Sequence, residues 1–60
     1  MHLERKIRQP NSLREAEIAF RAWCGDNGYE IVGHLHSFLQ KNLFTEKDDA
    51  LVEATVRRKK

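Results

Sequence analysis

Cys24, His34 and His36 together invite a reading as a metal or nucleophile site. If residues 29 to 42 wind as a helix, His34 and His36 stand about 200° apart around its axis, too far round to chelate one ion from one face. His36 then borders an apolar arc, and His34 lies one turn after Glu30, spaced for a modest side-chain pair. Cys24 has no elbow motif and no companion base or carboxylate pattern, so it reads as a buried structural thiol. Gly25-Asp26-Asn27-Gly28 lacks the lysine and the flanking strand of a phosphate-binding loop. Phe20, Trp23, Tyr29 and Phe38 are spaced as core aromatics, not as a stacking platform. No enzymatic activity, no metal and no cofactor is expected from these residues.

Charge remains. The net charge is +2, but residues 11 to 56 carry eight acids against Arg14, Arg21, Lys41 and Lys47, while both ends are basic. Polyanion binding must therefore use the ends. At the C-terminus, Arg57, Arg58, Lys59 and Lys60 offer sequence-independent attraction to phosphates. At the N-terminus, Glu4, Lys6 and Arg8 alternate along Leu3 to Gln9, the way a strand would present side chains to base edges in a major groove.

The elements that position these groups follow from periodicity. Residues 3 to 9 lay out as a short strand or arm with Leu3, Arg5, Ile7 and Gln9 on one face, closed by Pro10, which biases Gln9 to an extended conformation. A lone strand is not stable, so it needs a partner from a second chain or from the C-terminus. Ser12 and Glu15 form a capping box that starts a helix with Leu13, Ala16, Ala19, Phe20, Trp23 and Cys24 on one arc. Ile18 and Ala22 form a second small apolar stripe on its far side. Gly25 and Gly28 end the helix. A second helical period resumes at Tyr29, with Ile31, Val32, Leu35, Phe38, Leu39 and Leu43 sharing an arc, and Gly33 marks a close approach by another helix. Thr45 and Asp48 begin a weaker third helix, whose acids precede its bases in the order a helix dipole favours. Leu51 to Val56 also holds enough β-branched residues to pass for a strand.

Sixty residues make one domain with a marginal core, and Cys24 is the only cysteine, which leaves dimerisation as the staple. The single cysteine and the absence of a long apolar run point to a cytoplasmic protein. The expected fold is mainly α: a short N-terminal strand or arm (1–10), a helix-turn-helix core (11–44) and a weaker C-terminal helix with a basic tail (45–60), as an intertwined or helix-packed homodimer.

This layout resembles the ribbon-helix-helix family of DNA-binding proteins over residues 4 to 43. The run that carries the resemblance is Phe20-Arg21-Ala22, then Gly28, then Ile31, Leu35, Phe38 and Leu39. The resemblance implies a dimeric repressor or other transcriptional regulator in which Glu4, Lys6 and Arg8 face the groove and the backbone at Gly28 and Tyr29 holds a phosphate. The competing expectation is a small helical homodimer that inhibits or adapts a protein partner, using Ile18, Ala22 and Gly33 as its contact face, with no nucleic-acid role.

Overall fold

The computed structural model describes residues 1–59. Strand β1 (His2–Ile7) is followed by helix α1 (Leu13–Asp26), strand β2 (Tyr29–Lys41) and strand β3 (Asp48–Arg58). The three strands form one antiparallel sheet in the order β1-β3-β2. β1 and β2 are therefore parallel to each other, with the C-terminal strand inserted between them and α1 as the crossover.

The N-terminal half follows its local signals. The burial of β1 alternates, with Leu3, Arg5 and Ile7 turned inward and His2, Glu4 and Lys6 outward. Its partner strand is the C-terminal one. α1 starts at its cap: the Glu15 N–H donates to Ser12 Oγ at 3.1 Å, and Asn11 donates its side-chain amide to Glu15 Oε2. Ala16, Phe20 and Cys24 are buried along one stripe, whereas Ala19 is exposed. The helix runs through Gly25, and Asn27 closes it by donating its amide to the Trp23 carbonyl. Gly28, with φ +77°, then reverses the chain, a conformation open to glycine.

The second half corrects the mainly α expectation. Tyr29–Lys41 and Asp48–Arg58 form a long β-hairpin instead of two helices. Ala50, Val52, Ala54 and Val56 alternate strictly and are all buried. Alternation fits a strand with one face on the core, and a helix would have scattered these four side chains around its axis. They line the floor on which Ala16, Phe20 and Cys24 of the helix sit, and together they form the buried cluster. The small alanines leave room for Phe20. Once β3 is a strand, β2 gains its ladder by pairing with it, and its helical period is overridden by a register shift between Ile31 and Leu35.

Two further expectations change. Arg8 and Gln9 lie beyond the end of β1, and Gln9 adopts φ +46° in place of the extended conformation expected before Pro10. The close approach assigned to Gly33 is to a strand, since a Cβ there would meet Thr55 Cβ at 3.7 Å.

Thirteen strand residues span at most about 40 Å and fourteen helical ones about 21 Å, so the hairpin projects well past the helix. The molecule is accordingly elongated, 41 × 17 × 17 Å. No helix among the described residues is long and apolar enough to cross a membrane.

Candidate functional site

The helix covers one face of the sheet and leaves the other open. Register assigns the open face: His2, Glu4 and Lys6 from β1; Leu51, Glu53, Thr55 and Arg57 from β3; Glu30, His36, Phe38 and Gln40 from β2. Asp49 belongs to the same row but is covered at its end by the loops around Gln9 and Asn42. Charges on this face are mixed. Glu30, Glu4, Asp49 and Glu53 outnumber Lys6 and Arg57, so the face presents no basic surface of the kind that phosphates select.

Of the residues expected to read DNA, Glu4 and Lys6 share the outward face of β1 and Arg8 lies beyond its end. Glu4 stands directly opposite Glu53. Lys6 lies 3.9 Å from the Asp49 carboxylate, and Arg8 sits in the β1–α1 connection. β1 draws its ladder from β3 of its own chain, although its outer edge stays free.

At the turn where a phosphate contact is expected, Gly28 is bonded within the chain. The Gly28 N–H donates to the Gly25 carbonyl at 3.3 Å, and the Gly28 carbonyl accepts from the Lys59 N–H at 2.8 Å. Tyr29 stacks on Trp23 with ring centres 5.9 Å apart, and the Arg5 guanidinium lies 4.1 Å over the same Trp23 ring. Arg5 is thus a core-edge residue. Burial pushes the neighbouring Cys24 thiol above its ordinary value of 9.0, with Arg5 partly opposing the rise, which leaves the sulfur a poor nucleophile.

Of the C-terminal cations, Arg57 donates to Glu30 Oε2 at 2.8 Å. That hydrogen bond and the paired charge hold the Glu30 carboxyl below its usual range and raise Arg57. Arg58 and Lys59 are exposed at the same end of the molecule, and Lys60 lies outside the described residues. Ile18, 57% exposed, and Ala22 do point away from the sheet, but they are two small patches on a charged helix surface. Gly33 sits on β2, on a different element from either.

What the sequence did not single out is the free edge of β2 and the tip of its hairpin. β2 is an edge strand of thirteen residues, and between Ile31 and Gln40 it contains no Asp, Glu, Lys, Arg or Pro. Natural edges are usually blunted by such residues. Val32, Phe38 and Leu39 are exposed along it, and the tip adds Leu43, 84% exposed, and Phe44, 100% exposed. The tip is a built loop. Asn42 Oδ1 accepts from Phe44 N–H at 2.9 Å, Glu46 N–H donates to the Asn42 carbonyl at 2.8 Å, and Asn42 N–H donates to the Lys47 carbonyl at 2.8 Å. An Asx-type turn of this kind holds Phe44 in solvent.

Comparison with protein-family models, with curated proteins and with solved structures yields no match to this chain.

Proposed function

We propose that this protein is a small homodimeric interaction module, in which two copies join along β2 and present the resulting surface to a protein partner. The observation that carries this reading is the uncharged β2 edge with its apolar residues set symmetrically about Phe38. Val32 lies six residues before Phe38 and Phe44 six residues after it. An antiparallel pair of β2 strands with its two-fold axis at Phe38 sets Phe38 against its own copy and Leu39 beside Ser37. It also brings the Leu43-Phe44 tip of one copy alongside Val32-Gly33 of the other. Between positions 32 and 44 no like charges face each other across that axis, whereas β1, the other free edge, carries Glu4, Arg5 and Lys6. The product is a six-stranded sheet with both helices on one face, which gives a 60-residue chain the larger core that its length denies it. The free thiol of Cys24 and the lack of a second cysteine support a cytoplasmic setting.

The test uses charge at the axis. Wild-type protein is expected to sediment as a dimer at micromolar concentration. Phe38→Lys and Phe38→Glu, each placing like charges face to face, are expected to be monomers with unchanged circular dichroism. An equimolar mixture of the two is expected to recover the dimer. A wild-type monomer, or a dimer that survives both substitutions, would refute this assembly. Salt-dependent gel shifts of DNA that weaken in Lys6→Ala would replace it with a nucleic-acid function.

A further inference from the structure

Across the centre of the open face the register aligns three side chains in one row: Glu4 on β1, Glu53 on β3 and His36 on β2. His2 lies one step along β1 from Glu4 on the same face. Two carboxylates directly opposite each other on neighbouring strands repel. The sequence needed neither of them for the fold, since both project away from the core. A cation between them removes the repulsion.

Both histidines stand at ion-pair distance from Glu53, longer than a close hydrogen bond. His2 Nε2 is 3.5 Å from Glu53 Oε2, and His36 Nδ1 is 3.5 Å from the other oxygen, Oε1. Hydrogen bonds of this type close to about 2.7–3.2 Å. Two ligand atoms on a tetrahedral ion with bonds of about 2.1 Å stand about 3.4 Å apart. Nitrogen and oxygen ligands from His2, Glu4 and Glu53 all fall within 4.8 Å of one another. Small rotations of three exposed or half-exposed side chains bring them onto one centre.

We propose that His2, Glu4 and Glu53 bind one divalent transition-metal ion of the zinc class. One imidazole and two carboxylates are a borderline donor set suited to Zn²⁺, and they exclude the purely oxygen environment that Mg²⁺ and Ca²⁺ select. His36 flanks the far oxygen of Glu53, which directs Oε2 toward the ion. The fourth position faces solvent. A donor from a bound partner protein can enter there, so the ion links the open face to whatever docks on it.

The experiment is calorimetric titration of Zn²⁺ into chelator-treated, untagged full-length protein, with thermal melting alongside. Wild-type protein is expected to take up one ion saturably and to melt at a higher temperature when loaded. Glu53→Gln and His2→Ala are expected to bind at least tenfold more weakly and to lose the melting shift, with circular dichroism unchanged. His34→Ala, on the same strand as His36 but outside the cluster, is expected to bind as wild type does. Binding within twofold of wild type in both Glu53→Gln and His2→Ala would overturn the site. So would loss of binding in His34→Ala, or the absence of any saturable uptake.

Discussion

Asn42 donates its side-chain amide to Asp49 Oδ2 at 3.0 Å, and this bond joins the first residue of the β2–β3 turn to the second residue of β3. The second oxygen of the same carboxylate, Oδ1, accepts the Gln9 N–H at 3.1 Å. Asp49 therefore ties the β1–α1 connection, with its left-handed Gln9, to the β2–β3 turn. Lys6 at 3.9 Å adds charge to the same group.

Acid should loosen this junction. The hydrogen bond from Asn42, then that from Gln9 and the charges of Lys6 and Arg8, hold the Asp49 carboxyl below its ordinary value of 3.8 against the opposing effect of burial. A depressed folded-state value means that the ionised form stabilises the fold. That contribution is complete above the unfolded value and is lost as pH falls through the lower folded one. Melting temperature measured from pH 7 down to pH 2 is expected to drop most steeply below pH 3.8. Asp49→Asn should melt lower than wild type at pH 7 and show a shallower acid limb. Equal acid limbs in the two proteins would assign the acid sensitivity to other carboxylates.

The legible part of this fold lies where local chemistry and tertiary packing agree. Ser12, Glu15 and the stripe Ala16-Phe20-Cys24 specify α1 by themselves, and the inward set Leu3-Arg5-Ile7 specifies β1. In β2 local pattern and tertiary pairing disagree. Ile31, Val32, Leu35, Phe38 and Leu39 fall on one helical arc, and the bulge between Ile31 and Leu35 hides the alternation a strand would show. Ser37 then occupies a helix-facing position, where it donates to Glu17 Oε2 at 3.0 Å, so even the regular part of the strand lacks a clean apolar row. In β3 the signal was present: Ala50, Val52, Ala54 and Val56 alternate, but alanines at two of four positions weaken the hydrophobic contrast. The Glu4–Glu53–His36 row was beyond reach, because it exists only once the register of three strands is known.

Trp23 joins two aromatic contacts and the edge of the core, and its loss should be felt across the domain. A 60-residue chain has about 3–9 kcal/mol of stability to lose. Trp23→Ala removes a half-buried indole, its stack on Tyr29 and its contact with Arg5, for a loss of roughly 2–3 kcal/mol. Urea unfolding followed by circular dichroism measures it, since Trp23 is the only tryptophan. Arg5→Met separates the contributions. It forfeits a cation–π contact of about 0.5–1 kcal/mol. It also removes the buried Arg5 Nε, which has no hydrogen-bond partner among the described residues. A net change within about 1 kcal/mol is expected, and a loss as large as that of Trp23→Ala would mean that the guanidinium holds the aromatic pair together.

Gly25 and Gly28 stand three residues apart and should respond to alanine with opposite signs. Gly25 is helical, and a Cβ there meets nothing within 4 Å. Gly25→Ala removes backbone freedom from the unfolded chain and should stabilise by about 0.5–1 kcal/mol. Gly28 is equally uncrowded but holds φ +77°, where a side chain clashes with its own backbone. Gly28→Ala should destabilise by about 1–2 kcal/mol, and further if the turn shifts enough to break the bond from Lys59 N–H to the Gly28 carbonyl. Chemical denaturation of the two variants beside wild type reads the signs directly. Stabilisation by Gly28→Ala would show that the chain reversal after α1 does not use a left-handed residue, and with it the placement of Tyr29 against Trp23 would fall.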